Sequence, residues 1–219
     1  SYAPQTAEAL IETIPISGNL DHFWKDMLEL EENGEIIKTR FGTYGLPEKM
    51  GLVVGRFQLT SKGFGFVIPD NKGERPDVFI PPRALGGAMN NDRVMARVES
   101  SSGGNKPEGE IIRIITHANN KIVGIFHQSG DFGFVTPDDK RIGQDIYIMK
   151  RHFGGAKTNQ KVVAEITEWP VERRNAEGKI IEILGNVGDV GLEILSIIKQ
   201  NDLCLLYTSD AADDLTRVD

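Results

Sequence analysis

The residues best suited to chemistry lie in the run Lys62-Gly63-Phe64-Gly65-Phe66-Val67-Ile68-Pro69-Asp70. Read as a strand, it places Phe64 and Phe66 on the same face, because side chains alternate across a sheet. Phe79, on the next predicted strand, adds a third ring. Gly63 and Gly65 contribute no side chain to the opposite face, which keeps it thin and lets another backbone approach. Glycines cannot build a core face, whereas Val67 can, so the rings are expected to point outward. Exposed rings of this kind stack on single-stranded bases, at roughly 1–3 kcal/mol per base. Arg56, Lys62, Arg83 and Arg93 are candidates to meet the phosphates, which would make binding salt-dependent. The competing reading is that the rings are buried barrel or interdomain contacts.

The same element returns as Phe132-Gly133-Phe134-Val135-Thr136-Pro137-Asp138. The offset of 68 residues holds without a gap over the 35 positions from Phe64 to Val98, and 16 of those are identical. Two copies of one domain are therefore expected. The second offers Phe132, Phe134 and Tyr147 as rings, with Lys150, Arg151 and Lys161 as basic partners. Asp131 replaces Gly63 and is expected to repel phosphate, which makes the second copy the weaker platform. Two copies in series suit guiding a strand better than reading its sequence.

These motifs need short strands to hold them. The expected strands of the first copy are 53–59, 64–68, 78–80, 94–98 and 110–115. Those of the second are 122–127, 132–136, 146–148, 161–167 and 177–184. Five strands in about 65 residues suit a small Greek-key OB barrel. Ser100 to Lys106 reads as a flexible loop, and Pro47 to Met50 as a linker. Ahead of the barrels, Thr6 to Thr13 reads as part of a helix. Residues 19–33 read as an amphipathic helix with Leu20, Phe23, Trp24, Met27 and Leu28 on one face, capped by Ser17 or Asn19 and ended by Gly34. A hairpin at 35–46 completes the order of a winged helix-turn-helix lacking its first part. Leu192 to Ile198 reads as a short helix. The fold class is mainly β, two tandem OB-type barrels after that truncated element. The expected divisions are 1–48, 49–117, 118–185, 186–203 and a tail at 204–219.

The 219 residues carry a net charge of −7, but the sign varies along the chain. Residues 51–117 hold 7 acids and 9 bases and residues 118–185 hold 9 and 10, between acidic ends. That permits a basic face. One cysteine, Cys204, excludes a disulfide framework and suits the cytoplasm. No apolar run reaches the roughly 18 residues of a membrane span, and no secretory signal is visible. The expected molecule is a cytoplasmic monomer. The first eleven residues from Cys204 resemble the translation of a sequencing-library transposon adapter, so the tail is expected to be foreign. Asp210, Asp213 and Asp214 are then solvated acids rather than a metal site. His22, His117, His127 and His152 show no ligand spacing, and no nucleophile–base pair, phosphate loop or Cys/His metal pattern is present. No catalytic or metal residue and no cofactor is expected in this chain.

Lys62-Gly63-Phe64-Gly65-Phe66-Val67 and Asp77-Val78-Phe79-Ile80 resemble the two RNA-binding motifs of cold-shock domains. With the tandem copies, the helical segment, and runs such as Tyr44-Gly45-Leu46-Pro47, Gln144-Asp145-Ile146-Tyr147-Ile148 and Ile166-Thr167-Glu168-Trp169-Pro170, the chain resembles the N-terminal part of the ribonuclease R branch of the ribonuclease II family. The resemblance extends to about Leu203. It implies a processive 3′→5′ exoribonuclease whose cold-shock domains deliver single-stranded RNA to a catalytic domain using Mg²⁺ held by aspartates. That domain is expected after the end of this chain, which alone should bind RNA and cleave nothing. Two positions depart from the cold-shock pattern. Arg56 stands where many members place Trp, and Pro81 and Met149 replace the second-motif His. Two alternatives remain: a stand-alone cold-shock RNA chaperone, and a winged-helix regulator that prefers duplex DNA.

Overall fold

The computed structural model describes residues 2–14, 19–71, 75–99, 107–171 and 174–200. The expected loop at 100–106, the Ser17 cap and the whole tail with Cys204, Asp210, Asp213 and Asp214 lie outside the described residues. The described residues form two compact units, one drawn from Ser1–Asn120, Asp139–Asp145 and Glu168–Glu177, the other from Lys121–Asp138, Ile146–Thr167 and Gly178–Asp219.

The first unit opens with β1 (Gln5–Thr6) and α1 (Ala7–Thr13), where the Thr6 side chain caps the helix by accepting from the Ala9 N–H. Next come α2 (Leu20–Glu32), β2 (Ile37–Lys38) and β3 (Thr43–Gly45), and the three strands pair in the order β1-β3-β2. Asn19 caps α2, and Gly34 follows it with φ +72°, the left-handed turn that ends many helices. The expected apolar face of α2 is only partly used: Met27 is buried, Phe23 half-buried, and Leu20, Trp24 and Leu28 are exposed. Pro47–Met50 is a 3-10 turn with Pro47 buried, rather than an open linker.

The first barrel contains β4 (Leu52–Leu59), β5 (Gly65–Pro69), β6 (Val78–Ile80), β7 (Arg93–Glu99) and β8 (Glu108–Thr116). It closes in the order β4-β5-β6-β8-β7, with β6 and β8 the parallel pair. Alternation along β4 buries Leu59, Phe57 and Val53 and exposes Arg56 and Gln58. The core joins Phe57, Val67, Val78, Ile80, Val94, Ala96 and Ile111. Asp92, also buried, spends both carboxylate oxygens on that interior. Oδ2 accepts from the Met89 N–H at 2.8 Å and lies 2.9 Å from His117 Nδ1, and Oδ1 accepts from the Ala118 N–H at 3.0 Å. A buried carboxylate is tolerable only with partners of this number and quality.

The second barrel repeats the plan with β9 (Lys121–Ser129), β10 (Phe132–Pro137), β11 (Ile146–Met149), β12 (Gln160–Glu168) and β13 (Glu177–Asn186), closed in the order β10-β11-β13-β12-β9. Helix α3 (Leu192–Gln200) follows and packs on β9. Gln160 stands where the first copy has Asp92, and its Oε1 accepts from the Lys157 N–H at 2.8 Å. The neutral amide therefore replaces the acid at the same turn.

In each barrel the glycine of the Phe-Gly-Phe run is set by packing. A Cβ at Gly65 would lie 2.3 Å from the Phe57 ring, and one at Gly133 would lie 2.4 Å from the Phe126 ring. Both rings are fully buried. The glycine of each Phe-Gly-Phe thus makes room chiefly for a ring from the neighbouring strand, and not only for backbone as its spacing suggested. Gly63 differs again: it sits in the β4–β5 turn at φ +84° with nothing within 4 Å of a Cβ, so backbone conformation alone selects it. Gly65→Ala is expected to lower stability by about 1–3 kcal/mol through overpacking, and adding Phe57→Leu should recover part of that loss. Chemical denaturation of the single and double variants measures both.

Candidate nucleic-acid interface

The β4–β5 hairpin fixes where the first rings point. The Thr60 N–H and hydroxyl both donate to the Phe64 carbonyl, at 2.9 and 2.7 Å, closing the turn just before the strand begins. Register then sets Gln58 opposite Phe66, and Phe66 opposite Phe79. Because Val67 and Gly65 face inward, Phe66 faces outward, and Phe64 precedes it on the same side. The three rings form a mutual cluster. Centroids are 5.9 Å apart for Phe64–Phe66, 5.6 Å for Phe64–Phe79 and 5.8 Å for Phe66–Phe79. All three are half-buried. Their edges support one another, which fixes their orientation while part of each ring stays open to solvent.

The expected cations divide into two kinds. Arg56 and Lys62 are exposed and make no ion pair with a described residue. Arg56 faces outward with Gln58, on the strand beside Phe66. Arg83, also exposed, is already paired with Glu108 at 3.2 Å. Arg93 is structural: it chelates Asp70 Oδ2 at 2.8 and 3.0 Å and donates to the Asn33 carbonyl at 2.7 Å. It therefore ties the end of α2 to the barrel instead of facing a ligand. Its partners lie 23 and 60 residues away in sequence, so spacing along the chain does not reveal them.

The second barrel presents a different surface. Phe134 stands opposite Tyr147 on one side and His127 on the other. The His127 and Phe134 centroids are 5.3 Å apart, and Phe132 and Tyr147 are 5.7 Å apart and near parallel at 23°. Phe132 is 42% exposed and Tyr147 37%. His127, which shows no ligand spacing in the sequence, thus belongs to the aromatic row. The signal was present in the register: His127 follows the inward Phe126 as Gln58 follows Phe57.

Lys150 is held by Asp131, Nζ to Oδ1 2.6 Å. The hydrogen bond and positive charge of Lys150 keep the Asp131 carboxyl below the usual carboxylate range. Asp131 therefore quenches the cation beside the rings. Arg151 is exposed, with its Nε 3.3 Å from His152 Nε2. Lys161 is buried and lies 3.0 Å from Asp138 and 3.5 Å from Glu193. Burial alone would depress its ammonium, but those two carboxylates more than offset this and raise it above the ordinary lysine value. It is a structural cation, contrary to its expected role beside RNA.

Among the described residues no group of three or more His, Cys, Asp or Glu side chains is placed to hold a metal ion. No described helix is long and apolar enough to cross a membrane.

Comparison with known proteins agrees with this geometry. Residues 55–114 match the Ribonuclease B OB domain family, and residues 134–205 match the Cold shock domain family. Ribonuclease R of Thermotoga maritima is 35% identical over 178 residues, which is 80% of this chain and 24% of that protein. Ribonuclease R of Vibrio parahaemolyticus is 30% identical over 91% of the chain and 24% of its own length. The enzyme of Escherichia coli is 28% identical over 93% and 25%. The chain thus spans about a quarter of the length of these relatives. Among solved structures, Mycoplasma genitalium RNase R in complex with ribose methylated single-stranded RNA shares the fold with TM-score 0.61 at 20% identity, over 68% of this chain and 24% of that one. The yeast pseudonuclease Ssd1 does so with TM-score 0.59 at 16% identity, over 71% and 25%. By its two domain matches and by relatives that align along most of its length, this chain corresponds to the N-terminal portion of bacterial ribonuclease R, with its tandem cold-shock and OB domains.

Proposed function

We propose that this chain is the single-stranded RNA-binding region of a cytoplasmic, processive 3′→5′ exoribonuclease, acting as a monomer. Its barrels gather RNA for a nuclease domain that these residues do not include. The observation that carries the reading is the half-exposed cluster of Phe64, Phe66 and Phe79, with Arg56 and Lys62, which pair with no described acid, on the flanking chain. Three rings held edge to edge on a sheet surface offer π-faces to any base, and the two cations attract phosphate without selecting sequence. The related Mycoplasma protein bound to single-stranded RNA supports the same reading.

Phe132, Phe134 and Tyr147 form the second contact surface, with Lys150 contributing less because Asp131 pairs with it. Arg83 has the same limitation through Glu108. Mg²⁺, which the family's hydrolysis requires, finds no ligand set among the described residues, so no chemical step is assigned to them. A stand-alone RNA chaperone would use the same two faces. It differs in needing no nuclease domain, and the gene's continuation past Leu203 separates the two.

Phe64→Ala and Phe66→Ala are each expected to weaken binding of a short oligoribonucleotide by about 1–3 kcal/mol, with little change in the melting curve. With Mg²⁺ present, the RNA should be recovered at full length. Loss of several kcal/mol of stability instead would mark the rings as core. Replacing both Arg56 and Lys62 with Ala should flatten the log–log dependence of affinity on salt by about 1.4, near 0.7 per phosphate contact on a single strand. Arg93→Ala and Lys161→Ala should lower the melting temperature and leave that slope unchanged.

A further inference from the structure

The two aromatic faces differ in one chemical respect. The first-barrel cluster is entirely Phe, with no hydrogen-bonding atom on any ring. The second-barrel row is His127–Phe134–Tyr147 across three strands, so its central Phe is flanked on both sides by rings carrying polar edges. Tyr147 presents a hydroxyl that donates and accepts, and His127 presents two ring nitrogens. Neither the Tyr147 hydroxyl nor either His127 nitrogen hydrogen-bonds to a described residue. At the edge of this row the Asp131–Lys150 pair is locally neutral, whereas the corresponding first-barrel positions are Gly63 and Pro82. The attraction of Lys150 for the RNA backbone is therefore weakened, which shifts part of the binding at this face toward base edges.

We propose that the second barrel discriminates between bases, with His127 and Tyr147 as its specificity-determining residues. Phe134 stacks on a base, and the two flanking rings hydrogen-bond to edges of the nucleobases beside or upon it. The first barrel holds RNA by stacking and charge and is indifferent to sequence. The inference rests on the RNA-binding reading above and assigns the two faces different tasks within it.

The test uses the whole chain and three 15-nucleotide homopolymers, oligo(U), oligo(A) and oligo(C), titrated at one salt concentration. The double variant His127→Phe/Tyr147→Phe keeps every ring and removes every polar edge. One or two hydrogen bonds are worth roughly three- to tenfold in relative affinity. The double variant should therefore collapse the ratio between the best- and worst-bound homopolymer by about that factor. Its mean affinity should stay within about threefold of the original, and its melting curve should be unchanged. Tyr147→Phe alone, the milder change, should give a partial collapse and serves if the double variant is unstable. Phe64→Ala should weaken all three homopolymers alike. An unchanged ratio in the variants, or equal weakening of all three RNAs, overturns the proposal while leaving RNA binding intact. Failure of the unmodified chain to bind any homopolymer overturns the binding reading itself.

Discussion

The packing of Phe57 beneath Gly65 is the constraint on which the candidate interface depends. A five-stranded barrel is small, and its interior is filled by side chains from alternate positions. Phe57, with no exposed surface, occupies the space that a side chain at residue 65 would need. The strand can then devote Phe64 and Phe66 to the outside without losing core volume. Phe126 and Gly133 repeat the arrangement. The Phe-Gly-Phe pattern is therefore half of a three-dimensional unit whose other half is an inward Phe on the preceding strand.

With the rings placed, electrostatics distinguishes the two faces. Repeated scaffolding does not mean equal charge: Arg56 and Lys62, in the first copy, make no ion pair with a described residue, whereas Lys150 in the second is matched by Asp131. Exposed pairs of this kind add little to stability. Their effect on a phosphate chain is larger, because a neutralised lysine releases no counterion from the RNA. Arg93 and Lys161, which share one position in the two copies, serve the scaffold instead, each facing an acid from the end of β5 or β10, Asp70 or Asp138.

Much of the fold was legible because the repeat, the period-two alternation and the turn glycines all point the same way. Eight or nine residues of alternating pattern left little freedom for β4, β9 or β12. The roles of individual cations were less legible. Arg83, Arg93, Lys150 and Lys161 read as phosphate ligands by residue type, yet each meets an acid distant in sequence, at Glu108, Asp70, Asp131 and Asp138. Charge composition does not encode that pairing. His127 was overlooked for a related reason. Its partner Phe134 is set by strand register, and the β9–β10 turn is one residue shorter than its counterpart, which hides the correspondence with Gln58. The apolar stripe of α2 suggested a buried face, but periodicity does not say whether a partner is present to cover it.

The central claim is that bases stack on the first-barrel rings. Ring-proton NMR of phenylalanine-labelled chain, titrated with a short oligoribonucleotide, tests it most directly. Stacking predicts saturable upfield shifts of the Phe64, Phe66 and Phe79 ring resonances, with those of the buried Phe57 nearly unmoved. Saturation of RNA binding with the Phe64, Phe66 and Phe79 resonances unchanged would contradict it.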